Sequence, residues 1–424
     1  MTRILYDTTY CFRGQTGIPG DARSVARILQ NLNSNTSFLL KPKTLTKSEI
    51  RGTLNQSRLV GDAIRLNSGP RIFPSFFYKS FDLIMSFLDL NQIRISPVNE
   101  NFRNTIKDLL QIENKSRPSI FLTSKSINRI WARVLLRKPY RLNTKEFDIF
   151  IQQHVDPIRV SRNTTHIVRL HDILPITKPE FFNHQAVEIF SKGLNKLLRN
   201  KEIVWLMDSE KAATEFKEIF GKNRRVHVIP CAINNNFLQH KEVFKKGKQI
   251  VCLGTVEPRK RINIAIEAFD LFTTKTGNPE NWQLVIAGSK GWQADELYEK
   301  LNKGKFSSNI RYVENPSQNE VIQLLGNSAI SISGSAAEGF GLPPLEALAM
   351  GCRVIASDID QHKETMKNYA IYFNGTSSDL TMKMIEAIND FESNVKPLQG
   401  LKFVIDNYGE ARISELWSDF LQTF

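Results

Sequence analysis

Nowhere in the 424 residues does an apolar run approach the roughly eighteen that a membrane-spanning helix requires. Cysteine is scarce. The four residues, Cys11, Cys231, Cys252 and Cys352, show no metal-ligand spacing and no disulfide framework, so they read as small core residues in a reducing cytoplasm. The opening Met1-Thr-Arg-Ile-Leu-Tyr-Asp7 has no apolar h-region and no small-residue cleavage site, and reads as a first strand instead of a signal peptide. Acidic residues are the minority sign, 43 against 57 basic, and the net charge of +14 asks for an anionic partner. Helix-turn-helix patterns, zinc knuckles and aromatic-interleaved RNA-binding signatures are all missing. A basic nucleic-acid-binding protein is therefore a remote alternative that rests on charge alone, and a phosphorylated substrate or an anionic membrane surface is the better expectation.

What is present is a globular composition, 41% hydrophobic and 24% charged, with length enough for two domains that each bury a core. From 245 to 404 the chain alternates apolar strands with helical patterns. Strands are expected near 249–254, 284–288, 309–313, 329–333, 353–357 and 370–373, which predicts a parallel, doubly wound α/β sheet. The first domain, residues 1–238, offers strands at Arg3–Tyr6, Phe147–Ile151, His166–Leu170, Glu202–Leu206 and Val226–Ile229, with a helix around Arg23–Leu32. Residues 45–145 have no readable order and suit acceptor or membrane recognition. They hold an aromatic run, Pro74 to Phe81, and a segment Lys125–Lys138 in which Lys125, Arg129, Arg133 and Arg137 recur every four residues opposite Ile127, Ile130, Trp131, Val134 and Leu135. That is the pattern of a basic helix lying on a membrane surface, and equally of a surface helix set on the core. The closing segment 405–424 carries Ile413, Leu416, Trp417, Phe420, Leu421 and Phe424 on one helical face.

Three turns carry chemistry. Glu338-Gly-Phe-Gly-Leu-Pro-Pro-Leu-Glu346 sets two carboxylates eight residues apart across a glycine turn between a strand and a helix. Glu338 and the backbone N–H groups of Gly339, Phe340 and Gly341, with Leu342 opening the helix, would share one crevice rim suited to a diphosphate and a polyhydroxylated sugar. Upstream, Gly254-Thr255-Val-Glu-Pro-Arg259-Lys260-Arg also follows an apolar strand. Its Arg offers a two-pronged donor and its Lys a point charge, a suitable pair for two linked phosphates. In the first domain, Val168-Arg-Leu-His171-Asp172-Ile-Leu-Pro175 ends a strand and would aim His171 into the crevice from the other side.

The Glu-x7-Glu stretch with its interior Gly-Phe-Gly-Leu-Pro, taken with Gly-Thr-Val-Glu-Pro-Arg-Lys, resembles the donor-binding half of glycosyltransferase family 4, densely over residues 249–375 and thinly before them. The resemblance implies a GT-B fold, two Rossmann-like domains facing across a cleft with the last helix returning to the first. It also implies transfer from a nucleotide diphosphate sugar with retention at the anomeric carbon. By that likeness Glu338 contacts sugar hydroxyls, Glu346 holds the ribose, and Arg259 and Lys260 bind the diphosphate. His171 reaches the sugar or phosphate, and the early glycine turn with Gly17 and Gly20 faces the cleft, although Pro19 departs from the family pattern there. Gly254 and Thr255 complete the donor turn. The likeness to bacterial mannosyltransferases of O-antigen or capsule assembly tilts the donor to GDP-mannose, UDP-sugars remaining open. The acceptor would be a glycan or lipid-linked oligosaccharide, met by a cytoplasmic protein peripheral on the inner face of the membrane. Asp358-Ile-Asp360 has a metal-binding form but reads as loop structure, and neither metal nor cofactor is expected. The rival within the same fold is a nucleotide-sugar epimerase or hydrolase, for which no acid–base set stands out.

Overall fold

The computed structural model describes residues 2–8, 11, 18–33, 35–40, 92–93, 95–97, 110, 119–123, 140–239, 244–278, 280–302, 308–394 and 399–424. Gly17, the aromatic run 74–81 and the basic segment 125–138 lie outside the described residues.

Two sheets organise the chain. The first contains β1 (Ile4–Asp7), β2 (Thr36–Leu40), β3 (Ile95–Pro97), β4 (Ser119–Thr123), β5 (Ile149–Gln152), β6 (Thr165–Leu170), β7 (Val204–Met207) and β8 (Arg225–Val228), in the order β8-β7-β6-β5-β1-β2-β4-β3. Every pairing is parallel except β3 with β4. The second contains β9 (Gly247–Leu253), β10 (Gln283–Gly288), β11 (Ile310–Glu314), β12 (Ser328–Ser333), β13 (Arg353–Ser357) and β14 (Ala370–Phe373), all parallel, in the order β11-β10-β9-β12-β13-β14. Strands such as β5 and β7 are buried along their whole length, as central parallel strands with both faces covered must be.

The second sheet is the doubly wound order 3-2-1-4-5-6, and it reverses direction between β9 and β12. Ile250 pairs with Ile330, so the loops leaving the carboxyl ends of these two strands emerge side by side. Ligands of open α/β sheets bind at this reversal.

Helix α1 (Ile18–Leu32) begins earlier than its apolar pattern suggests. Gly20 is therefore a buried residue of the first helical turn and not part of a cleft-facing turn, a correction with a simple cause: proline lacks an N–H that the first turn does not use, so Pro19 is tolerated there. The remaining helices that position the site are α2 (Glu210–Phe220), α3 (Ile262–Thr276), α4 (Leu342–Ala349), α5 (Asp360–Met366) and α6 (Glu410–Leu421). In α3, Ile262, Ala265, Ile266, Phe269 and Phe272 all face the core.

The cores also fix where the chain changes domain. Cys231, Ile233 and Phe237 precede the expected boundary yet bury in the second core, where Ile233 N–H donates to the Tyr408 carbonyl at 2.9 Å. Phe403, Val404 and Tyr408 stay in that core. Beyond Gly409, Ile413, Trp417 and Phe420 bury against β1 and α1, so the return to the first domain occurs at Gly409. Arg27 Nε–Glu410 Oε1 at 3.0 Å and Asn235 Nδ2–Glu410 Oε2 at 2.5 Å fasten the crossing.

Trp417 is fully buried. Trp417→Ala should cost about 3–5 kcal/mol of stability, measured by urea unfolding, and should open the segment after Gly409 to limited proteolysis. An unchanged midpoint would show that α6 is not part of the first core.

Candidate active site

The turns after β9 and β12 are stitched to each other. Ala336 N–H donates to the Arg259 carbonyl at 2.8 Å, and the Arg259 guanidinium returns a bond to the Ala337 carbonyl at 2.9 Å. The first turn enters α3 through Arg261 in the left-handed conformation (φ 49). The second enters α4 through Gly341 at φ +90, where a side chain would be strained.

The stitching concentrates charge. Arg259 Nη1 lies 2.9 Å from Glu338 Oε2 and its Nη2 lies 2.7 Å from Glu257 Oε1, while Lys260 Nζ reaches Glu338 Oε1 at 2.5 Å. Ser335 Oγ donates to the same oxygen at 2.5 Å. Burial pushes the Glu338 carboxyl upward, but Lys260 and Arg259, with His362 behind, outweigh it and hold the group well below the usual carboxylate range. For Arg259 burial works against charge, and Glu338 and Glu257 more than restore it, so its affinity for the proton rises. Glu346, on α4, has the opposite setting. It is buried with no compensating cation, and burial alone pushes its carboxyl up to about 7.

The opposite wall comes from the first domain. His171 follows β6, and Asp208 follows the neighbouring strand β7. Their strands pair Leu170 with Met207, which sets the His171 Nδ1 to Asp208 Oδ2 distance at 2.5 Å. Asp208 Oδ2 also accepts from the Cys231 thiol at 3.1 Å, and Asp208 Oδ1 forms an ion pair with Arg169 Nη2 at 3.0 Å. Burial disfavours the charged imidazole, yet the Asp208 charge and hydrogen bond prevail and raise the proton affinity of His171. Asp172 Oδ1 accepts the Leu174 N–H at 2.9 Å, and its carboxyl is raised by burial.

The walls approach closely at Gly339. A Cβ there would lie 2.8 Å from Asp172 Oδ2 and 3.2 Å from the His171 carbonyl, so only glycine fits. Nearby, Glu364 of α5 receives the first N–H groups of α2, Glu210 at 2.7 Å and Lys211 at 2.9 Å, capping a helix of the other domain. Asp360 pairs with Lys211 Nζ at 2.9 Å, and Asp358 with Lys363. Both carboxylates of the Asp-x-Asp sequence are thus committed to lysines.

Arg259, Lys260, Glu338, His171, Glu346, Gly339, Phe340, Gly341, Leu342, Gly254 and Thr255 all line one cleft of about 540 Å³ between the two domains, within the size range of small-molecule sites. Gly20 does not line it, although Ile18 and Pro19 beside it do. Sequence reasoning missed Asp208, Ser335, Glu257 and His362. Asp208 alone carried a signal, since it directly follows an apolar strand next to the one ending at His171. Among the described residues, Asp21, His171 and Cys231 bring ligand-type atoms within 4.8 Å of one another. Arg169 Nη2 lies 3.1 Å from Asp21 and 4.0 Å from Cys231 Sγ, so this donor set is already built around a guanidinium and suits it better than a metal ion.

The family model for glycosyl transferases group 1 matches residues 234–399. The chain is 27% identical over 250 residues to the serotype-specific mannosyltransferase WbdA of Escherichia coli, covering 54% of this chain and 30% of that protein. It is 23% identical over 309 residues to O-antigen chain mannosyltransferase B of Escherichia coli, covering 67% of this chain and 79% of that one. The chain thus spans about a third of the length of WbdA. The crystal structure of Anabaena HepE in complex with UDP and glucose superposes over 100% of both chains with a TM-score of 0.61 at 14% identity. The fold is GT-B.

Glu346 sets a pH signature. A carboxyl raised in the folded state stabilises fully below its unfolded value near 4.5, and that contribution is lost as pH rises through about 7. Between pH 5 and 8.5, Glu346→Gln should therefore gain on the order of 2–3 kcal/mol relative to the parent chain, read from paired unfolding curves. Parallel pH dependences would show that Glu346 is not a buried, uncompensated acid.

Proposed function

Because residues 234–399 are a glycosyl transferases group 1 domain set in a GT-B fold, we propose that the chain is a retaining glycosyltransferase. On this reading it moves a sugar, mannose from GDP-mannose, from a nucleotide diphosphate sugar to a glycan or lipid-linked glycan acceptor in surface-polysaccharide assembly. One observation carries the proposal: Arg259, Lys260, Glu338 and Glu346 converge at the sheet's reversal point and face His171 across the cleft. The mannose part is supported by the names of the sequence relatives.

The chemical task is to stabilise a leaving diphosphate. The bond from the anomeric carbon to the phosphate oxygen breaks, a bond from that carbon to the acceptor oxygen forms on the same face, and the acceptor proton passes to the departing phosphate. Negative charge grows on the phosphate, so donors fixed in advance at that position lower the barrier. Arg259 and Lys260 supply them. Both now bind Glu338, and phosphate oxygens entering the cleft would compete for their N–H groups and release the Glu338 carboxylate to sugar hydroxyls. Glu346 would accept from the ribose hydroxyls. Charge on the diphosphate is met by side chains in this scheme, which includes neither metal nor cofactor. The acceptor would be met at the cytoplasmic membrane face through the basic segment Lys125–Lys138. No helix among the described residues is long and apolar enough to cross a membrane.

Arg259→Ala/Lys260→Ala should lower donor turnover by at least 10²–10³-fold, the usual cost of removing such donors, with the far-ultraviolet circular dichroism unchanged. A well-folded double variant at full activity would overturn the site. Incubation with nucleotide sugars alone separates the rival, since rapid epimerisation or hydrolysis without acceptor would favour it.

The donor base is tested by thermal shift, because a ligand that binds the folded state stabilises it by about 2.7 kcal/mol at a hundred times its Kd. GDP and GDP-mannose should raise Tm. Stabilisation by UDP and none by GDP would overturn the mannose assignment.

A further inference from the structure

Beneath the first-domain wall lies a chain of buried charges that the transfer scheme has not used. Asp21 Oδ1 accepts the Ala232 N–H at 2.8 Å, and its Oδ2 accepts Arg169 Nη2 at 3.1 Å. The same Nη2 reaches Asp208 Oδ1 at 3.0 Å, and Asp208 Oδ2 meets His171 Nδ1 at 2.5 Å. Arg169 is 0% exposed, Asp21 and Asp208 1% each, and His171 7%. Trp417 of the returning helix α6 lies over the guanidinium at 5.8 Å. An acid, a base, an acid and an imidazole thus run in a line from the core to the cleft.

The charge balance of this line has a consequence. Both oxygens of Asp21 accept hydrogen bonds, while Asp208 Oδ2 accepts from the Cys231 thiol and pairs with His171, and Asp208 Oδ1 lies 3.0 Å from the Arg169 guanidinium as an ion pair. With both carboxylates ionised, one guanidinium leaves one negative charge in a dry interior, which is costly and against which burial raises the Asp21 carboxyl. A second proton on His171 cancels it. The other titratable groups nearby are the buried Cys231 thiol and Tyr6 hydroxyl, both pushed up by burial and so neutral, Asp172 on the same loop, and Arg259, Lys260 and Glu338 across the cleft.

We infer that Asp208, backed by Arg169 and Asp21, is a positioning residue that keeps His171 as an imidazolium, with Nδ1 fixed so that Nε2 is the atom able to donate into the cleft. This inference rests on the proposed transfer reaction for its catalytic meaning. The first domain then contributes a third positive group to the leaving phosphate, facing Arg259 and Lys260 of the second, and the site is electrostatically complete only when both domains face the donor. His171 is where donor and imidazolium meet. Asp208 acts through it and touches no substrate.

Histidines labelled at the Cε1 carbon, with His171 assigned by its absence in His171→Gln, allow a direct nuclear magnetic resonance titration of the full chain. The His171 signal should titrate above the ordinary histidine value of 6.5 in the parent protein and at a lower pH in Asp208→Asn. Titration of the parent His171 at or below pH 6.5 overturns the inference, and that measurement needs only the parent chain and the cleft-wall variant even if Asp208→Asn fails to fold. In transfer assays Asp208→Asn should lower kcat roughly tenfold or more with little change in KM for the donor, and its alkaline limb should move to lower pH. An unchanged kcat and pH profile also overturns the positioning role. If no nucleotide sugar is turned over by the parent chain, the transfer reading fails while the titration still decides the charge state of His171.

Discussion

Charge taken out of water must be answered by charge, and the cleft is organised by two answers to that demand. In the second domain Glu338 is held by Lys260 and Arg259, with Ser335 donating to it. In the first, Asp208 is held by Arg169 and His171. Each ion costs several kcal/mol to desolvate, and such clusters often stabilise a fold less than apolar residues of equal volume would. Their presence in two facing walls is therefore better understood as preparation for an anion than as a contribution to stability. The same low polarity that makes them costly strengthens any interaction they make with a phosphate.

Backbone topology decides where these clusters sit. Reversal of strand order between β9 and β12 leaves their carboxyl-end loops without a covering crossover, so both turns reach the cleft. Gly339 lets the second turn press against the His171–Asp172 loop, and Gly288 lets the first turn lie on its neighbour, since a Cβ there would sit 1.9 Å from the Gly254 carbonyl. Beyond the cleft the domains hold each other by polar contacts, Lys211 with Asp360 and Glu364 with the start of α2. Exposed ion pairs of this kind contribute little individually, which leaves the walls free to adjust about a ligand while Gly409 and α6 keep the domains joined.

The second domain was legible because its signals are local. Each βα unit spells its own strand, turn and helix, and the residues expected in the two donor turns converge at one cleft, while the roles assigned to them remain proposals. Gly20 is expected in a cleft-facing turn by likeness to the family, but the departure at Pro19 marks a first helical turn that takes Gly20 in. The strand Thr36–Leu40 is a short run between asparagines on one side and Lys41-Pro42 on the other, which resembles a loop in sequence. Asp208 carried only the weak signal of an acid after an apolar strand, and His362 carried none. Asp208 reaches His171 only through the register of β6 with β7, and His362 stands behind Glu338 by hydrogen-bonding Ser357 at 3.0 Å and 3.2 Å from the next strand. Such neighbours are set by sheet pairing, which no single segment encodes. The expectations for residues 45–145 rest mostly on positions outside the described structure.

The two charge clusters differ in what an entering phosphate would change. Arg259 and Lys260 already have a carboxylate partner in Glu338, so a phosphate there exchanges one anion for another and leaves the local charge state of the cations intact. Asp208 cannot be exchanged in this way, being 1% exposed and held by groups on two segments, Arg169 and His171 at the end of β6 and Cys231 beyond β8. The second-domain cluster is therefore a mobile pairing suited to capture and release, and the first-domain cluster is a fixed one suited to orientation. A site that must bind a diphosphate and then let it go needs both: exchangeable partners so that departure is not prevented, and one immovable group so that the reacting phosphate is always met from the same side.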